Sequence, residues 1–423
     1  MEWLGEVPGH WEVRPLKHLA RLQTGMTPPT DEWDNYADEE GFQCVRPEDL
    51  DERGTPTTSS KFLTKKGWMQ TRQIKAGASL ICCIGTIGKV GITTDTVSTN
   101  QQITAAEPKE DSRYLFYAIC AGRVELELAS TGNVLRILNT ERLGNISWPN
   151  PPLPEQIQIV TFLDRETAKI DALVAEQRRL MALLKEKRQA VISHAVTKGL
   201  NPAAPMKPSG IEWLGDVPAH WEVGPLKRFW SVTDCKHVTA EFVDDGFPLA
   251  SIREVQSRWV ALENAKCTTE HFYEVLVEGN RQPLAGDLIF SRNATVGEVA
   301  QVHADHPRFA MGQDVVLLRK LSPNYSSDYL QHVIRSPIII LQLANMMIGS
   351  TFKRINVEEI RSFLIPSPPP TEQAEIANFL EGEVAKFDNL TAEAQRAIDL
   401  LQERRTALIS AAVTGQIDVR GAV

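Results

Sequence analysis

The chain of 423 residues is short of several things that would mark common protein classes. It has no apolar run near the roughly 20 residues that a membrane helix needs. The start, M-E-W-L-G-E, lacks the basic residues and apolar core of a secretory leader. Its six cysteines (Cys44, Cys82, Cys83, Cys120, Cys235, Cys267) form no C-x-x-C pair. That argues against a disulfide framework and a zinc site, and suits a reducing, cytoplasmic setting. Positive charge is also short. The net charge is −9, and residues 1–150 carry 16 basic against 20 acidic side chains, with no polybasic stretch anywhere. This argues against coating of nucleic acid by bulk charge, and DNA binding would have to use local patches or a partner's charge.

Enzyme signatures are missing too. There is no P-loop, H-E-x-x-H, G-x-S-x-G or G-x-G-x-x-G fingerprint. Glu107-Pro108-Lys109 carries the E-x-K of some nucleases but has no counterpart in the second half. His10 and His220 each stand beside a Trp, with no carboxylate or Cys arranged around them in the sequence. Asn150-Pro151-Pro152 resembles the catalytic loop of adenine methyltransferases, where the Asn holds a flipped base.

What the chain has is a duplication. W-L-G-E-V-P-G-H-W-E-V-R-P-L-K (3–17) returns as W-L-G-D-V-P-A-H-W-E-V-G-P-L-K (213–227), twelve of fifteen positions being identical. A-G-A-S-L-I-C-C-I-G-T-I-G-K-V (76–90) returns loosely as A-G-D-L-I-F-S-R-N-A-T-V-G-E-V (285–299). P-P-L-P-E-Q (151–156) returns as P-P-P-T-E-Q (368–373), and A-V-I-S-H-A-V-T (190–197) as A-L-I-S-A-A-V-T (407–414). Ser367 replaces Asn150 in the second copy, so what persists is a helix start: prolines, then a Glu in the first turn, where the helix dipole favours it.

From Glu155 to Thr197 there is neither Pro nor Gly. This predicts one helix of about 64 Å, far longer than an average helix. Leu163, Ile170, Leu173, Leu180, Leu184 and Val191 fall near a heptad seam, matched by Leu380, Phe387, Leu390, Ala397, Leu401 and Leu408. A short linker (198–210) follows the first helix, so the second helix must run back antiparallel to pair with it. The expected fold is α+β: two pseudo-repeated α/β heads joined by two long antiparallel coiled-coil helices. Its boundaries are a first head over 1–150, a helix over 151–200, a second head over 201–367 (with 201–210 as linker), and a helix and tail over 368–423. Within the heads, 78–84, 287–291 and 315–319 read as strands, and 114–120 and 329–334 as matching helices. The paired Trp residues (Trp3 with Trp11, Trp213 with Trp221) read as packing for the head's N-terminus rather than base-stacking platforms.

Polar loops supply the candidate DNA contacts: Asn100 and Gln101; Thr131, Asn133 and Arg136; Ser291, Arg292, Asn293 and Thr295; Ser350, Thr351, Lys353 and Arg354. Small hydroxyl and basic side chains on glycine-bearing loops can bond phosphates, while Arg, Asn and Gln can read base edges. The same residues also suit turns and solvated surface.

The two W-L-G-[ED]-V-P-x-H-W-E-V starts, the two P-P-x-x-E-Q-x-x-I-x-x-F-L motifs and the two A-[VL]-I-S-x-A-V-T motifs resemble the specificity subunits of type I restriction–modification enzymes. G-D-L-I-F-S-R-N-A-T-V-G also follows the family pattern, whereas the first head departs from it with I-C-C-I-G-T-I-G. The resemblance implies that each head is a target recognition domain for one half of a bipartite site in double-stranded DNA. It implies that the helices set the gap and dock two methyltransferase subunits, which restriction (translocase–nuclease) subunits then join. It further implies that S-adenosylmethionine, ATP and Mg belong to those partners, and that this chain is not catalytic. A two-headed, protein-binding adaptor and a self-sufficient methyltransferase using Asn150 remain the other readings of the residues.

Overall fold

The computed structural model describes residues 3–38, 40–55, 57–132, 134–346 and 354–421. It divides into two units, Met1–Arg179 with Ala394–Val423, and Leu180–Glu393. Each unit therefore takes one head together with segments of both long helices.

In the first head, a four-stranded antiparallel sheet runs in the order Ala20–Thr24, Ile103–Pro108, Ser79–Cys82, Val90–Ile92. The second head repeats it with Trp230–Asp234, Val315–Lys320, Leu288–Ser291 and Val299–Gln301. Both faces of this sheet are covered, which is why its strands read as continuous apolar runs. Alternate side chains go to opposite cores: Leu288, Phe290, Val316 and Leu318 join the core that includes the helix Ser327–Ile334, while Ile289, Val315 and Leu317 join a second core on the other face.

A smaller sheet packs beside each. Tyr36–Ala37, Phe62–Leu63, Phe42–Val45 and Ser98–Thr99 form it in the first head, and Phe242–Val243, Cys267–Thr268, Phe247–Ala250 and Ala310–Met311 in the second. Its last pair is parallel in both. A third pairing, Glu12–Pro15 with Ser147–Asn150, recurs as Glu222–Pro225 with Leu364–Ser367 and closes each head at the start of a long helix.

The long helices span Leu153–Lys198 and Pro370–Val413. Within each unit their segments run antiparallel. In the first, Ile159 and Leu163 share a core with Ile409 and Ala412, while Asp171, further along, meets Arg405. In the second, Ile192 and Val196 share a core with Ile376 and Leu380, and Arg188 meets Asp388. Leu163, Thr167, Ile170 and Val174 are buried at alternating spacings of four and three, the heptad rhythm. Three expected seam residues are corrected: Leu173, Leu180 and Leu390 are 52%, 42% and 47% exposed. Leu173 follows Ile170 by three positions but directly precedes Val174, which lies on the buried stripe, so it points about 100° away. Leu184, Val191, Leu401 and Leu408 are half-buried, and Leu380 and Phe387 buried.

The expected linker is also not wholly irregular. Met206–Pro208 pairs antiparallel with Asp216–Pro218, and Lys207 Nζ donates to the Trp221 carbonyl at 2.7 Å, tying the segment back onto the second W-L-G motif. Each long helix ends in a left-handed glycine, Gly199 (φ 73°) and Gly415 (φ 75°). A Cβ on Gly415 would meet Pro8 Cδ at 2.4 Å, so the residue serves both the turn and a close contact with the head's N-terminus.

Candidate nucleic-acid interface

The duplicated motifs meet one another. Glu155 Oε1 lies 2.8 Å from His10 Nε2, and Glu155 Oε2 accepts the Trp11 indole N–H at 2.8 Å. Glu372 Oε2 repeats this with His220 Nε2 at 2.7 Å and the Trp221 indole N–H at 3.0 Å. The expectation that these histidines have no carboxylate partner is thus corrected: the partner is 145 residues away in the chain for His10 and 152 for His220, each on the first turn of a long helix. Burial raises the Glu155 pKa, but the hydrogen bonds from His10 and Trp11 outweigh it, and the carboxyl is held below its ordinary range.

The neighbouring glutamine grips the head. Gln156 Nε2 donates to the Pro151 carbonyl at 2.9 Å, and its Oε1 accepts from the Asp111 N–H at 3.4 Å. Gln373 does the same with the Pro368 carbonyl (2.9 Å) and the Ser326 N–H (2.9 Å). Asp111 and Ser326 are the caps of corresponding helices. On those helices Tyr114 donates 3.1 Å to the Pro149 carbonyl, and Tyr329 donates 3.1 Å to that of Pro366. The E-Q pair is therefore a structural joint between head and helix. Asn150 belongs to it: it lies in the strand paired with Glu12, and its side-chain oxygen accepts from Gln156 Nε2 at 3.3 Å.

The Trp residues are mostly internal. Trp3 packs edge-on against buried Trp148 at 5.4 Å, and Trp221 is fully buried, while Trp213 remains 36% exposed.

Three loops converge in each head, the polar candidates among them, as the sequence spacing alone did not reveal. In the second, the Arg292 N–H donates to the Asp314 carbonyl and the Ile355 N–H to the Arg292 carbonyl, both at 3.0 Å, and Asn293 bridges to Arg354. In the first, the Cys83 N–H donates to the Gln102 carbonyl (2.7 Å) and the Leu138 N–H to the Cys83 carbonyl (2.8 Å), and Ile84 bridges to Ile137. Thr131 pairs with Ile137 across this loop, leaving its side chain and that of Arg136 exposed. Gln101 is exposed and accepts from Thr27 Oγ1 at 2.8 Å; the corresponding Gln313 donates to Thr239 Oγ1 at 3.4 Å. Asn100 Nδ2 donates to Gln102 Oε1 at 2.8 Å, which turns Asn100 back onto its own loop. Beside these contacts lies an open groove of about 410 Å³ in the first head and about 560 Å³ in the second. Gln101 and Gln102 line the former, Gln313 and Asp314 the latter.

Two candidates are corrected. Ser291 is buried, its hydroxyl 3.1 Å from the Asn293 carbonyl and 3.1 Å from Thr295 Oγ1. Arg292 is 5% exposed, its Nη2 3.2 Å from His237 Nε2 and 3.6 Å from Asp234 Oδ1. The basic side chain beside the strand end points inward because an acidic and an imidazole partner wait there. Asp234, Cys235 and His237 hold ligand-type atoms within 4.8 Å of one another, but the Arg292 guanidinium already supplies the cation facing Asp234 and His237. Asn293 and Thr295 are half-exposed, and Arg354 keeps 52% of its side chain open. Asn133, Ser350, Thr351 and Lys353 lie outside the described residues. Asp314, which sequence reasoning missed, is the acidic member of the cluster; its signal is the alignment of M-G-Q-D (311–314) with T-N-Q-Q (99–102).

Among the described residues no helix is long and apolar enough to cross a membrane. The chain matches the family model "Type I restriction modification DNA specificity domain" twice, over residues 8–180 and 227–399. It is 21% identical to the type I restriction enzyme EcoBI specificity subunit of Escherichia coli, over 96% of this chain and 86% of that protein. It is 22% identical to the MjaVIII specificity subunit of Methanocaldococcus jannaschii, over 79% of this chain and 76% of that protein. In fold it resembles a chain from a solved structure of a type I restriction–modification system, with a TM-score of 0.67 and 17% identity over 97% of this chain and all of that one.

Proposed function

Because this chain belongs to the type I restriction–modification DNA specificity family, a family of non-catalytic subunits, we propose that it reads a bipartite site in double-stranded DNA, one half with each head. The observation that carries this reading is the duplicated loop convergence, Cys83 with Leu138 and Arg292 with Ile355, which sets polar side chains beside a groove in both heads. The long helices, 46 and 44 residues, are suited to fix the interval between the halves. Their exposed apolar side chains, among them Ile157, Leu173, Leu183 and Phe379, suit the docking of two methyltransferase subunits, which restriction subunits would join. S-adenosylmethionine, ATP and Mg would be held by those partners. With a net charge of −9, the chain leaves most of the sequence-independent phosphate affinity to them.

The test is the adenine methylome of the host with and without this gene. Loss of a single two-part motif with a fixed gap supports the reading. An unchanged methylome, in a host whose partner subunits are expressed, overturns it in favour of a protein-binding adaptor. Exchange of residues 1–150 for another head then changes one half of the motif only.

A further inference from the structure

The geometry points to Arg354 as the residue that selects a G·C base pair in the half-site read by the second head, held for that purpose by Asp314. This rests on the DNA-reading role proposed above and adds a base to it. Arg354 Nη2 lies 3.4 Å from Asp314 Oδ1, and Asp314 Oδ2 accepts from Asn293 Nδ2 at 3.1 Å. The backbone is fixed on both sides: Asn293 bridges to Arg354, and the Arg292 N–H donates to the Asp314 carbonyl at 3.0 Å. Among the described residues, three non-glycine residues have positive φ, and two of them are here, Ala294 (55°) and Asp314 (63°). Backbone of this kind costs free energy and persists where surrounding contacts over-determine it, which happens most often at functional sites.

The chemistry follows from the groups. A guanidinium fork matches the O6 and N7 acceptors of guanine. Adenine presents an amino donor in place of O6, so one of the two bonds becomes a donor facing a donor. A carboxylate beside the guanidinium draws it toward the groove edge before binding, which lowers the ordering cost. Asp314 also lines the 560 Å³ groove, where a carboxylate can accept from the cytosine amino group but repels phosphate. The pair thus suits base edges rather than backbone. The first head places Ile137 and Gln102 at the corresponding positions, with neither charge.

The test uses the full chain co-expressed with its methyltransferase partners, comparing the adenine methylomes of wild type, Arg354→Gln, Arg354→Lys and Asp314→Asn. The wild-type motif is expected to contain a G·C pair in one half. Arg354→Gln should relax or change that position alone, with discrimination there falling on the order of 10- to 100-fold, and leave the other half intact. Arg354→Lys keeps the charge without the fork and should keep the base at reduced discrimination. Asp314→Asn should weaken the same position. An unchanged motif in Arg354→Gln overturns the assignment. So does an equal loss of methylation at all sites in both Arg354 variants, which marks a structural role. A wild-type methylome with no motif that depends on this gene instead removes the DNA-reading role itself.

Discussion

Arg405 on the second long helix is paired with Asp171 on the first, its Nε 3.1 Å from Oδ1, and Arg188 and Asp388 repeat the relationship at 3.4 Å with the helices exchanged. The two pairs occupy corresponding positions of the duplicated sequence. They are not equivalent in surroundings. The Arg405 side chain is 13% exposed and also donates to the Arg53 carbonyl at 2.9 Å, so it joins the helices and a head loop. The Arg188 side chain is 35% exposed and faces an Asp388 that is 63% exposed.

Arg405→Met should therefore destabilise the first unit by about 1.5–3 kcal/mol, the range for hydrogen bonds to charged groups. Arg188→Met should cost less than about 1 kcal/mol, as exposed ion pairs do. Calorimetric unfolding of the two variants checks this; equal losses would show that the head-loop contact contributes nothing.

The helix seam gives a second contrast. Ile170 is 6% exposed and Leu173 is 52% exposed, although both fit an apolar stripe on paper. Ile170→Ala should cost about 2–5 kcal/mol, and Leu173→Ala about 0.5 kcal/mol or less. Urea midpoints decide it. If Leu173→Ala leaves the isolated chain intact but weakens assembly with methyltransferase subunits, Leu173 serves docking rather than the internal seam.

Much of this architecture is legible in the sequence because it is written twice. The strand Leu288–Ser291 and the helix Ser327–Ile334 are marked by local composition and by imperfect copies in the first head. The long helices are marked by the absence of breakers. What is not legible depends on contacts between segments remote in the chain. Nothing near His10 announces Glu155, and nothing in S-R-N-A-T announces that Arg292 turns inward to Asp234 and His237. Leu173, Leu180 and Leu390 fall outside the seam because leucines on adjoining faces of a long helix satisfy a loose heptad equally well, and only the partner helix selects the face.

The helix-start clamp carries a pH signature. Glu155 has its pKa lowered in the folded chain, so its contribution is complete above the ordinary carboxylate range, about 4.3, and is lost as pH falls through the folded value. Glu155→Gln should destabilise the first unit by about 1–3 kcal/mol at neutral pH, and the difference from wild type should shrink below about pH 4. Acid titrations of the two proteins followed by tryptophan fluorescence test this; a difference that stays constant into acid would mean that the Glu155 charge is irrelevant to the clamp.

His332 acts at higher pH. Burial, reinforced by the charges of Arg258, Arg335 and Arg188 and opposed by Glu381, pushes its pKa down to about 4. Arg258 is itself bound to Glu381 on the second long helix and lies 3.3 Å from Asp328. The imidazole is therefore neutral in the folded chain well below the pH at which an unfolded histidine takes up its proton, about 6.5. Between those values the unfolded state binds the extra proton, so stability falls as pH falls from about 6.5 toward 4. In the first head Tyr117 stands at the corresponding helix position, three residues after Tyr114 as His332 is after Tyr329, and there it bonds Asp164 at 2.6 Å. An aromatic ring that stays uncharged between pH 7 and pH 5 thus occupies the equivalent position, and His332→Phe should lose less stability than wild type over that interval. Urea unfolding at the two pH values measures the difference directly, and equal losses in both proteins would show that the acid sensitivity arises elsewhere.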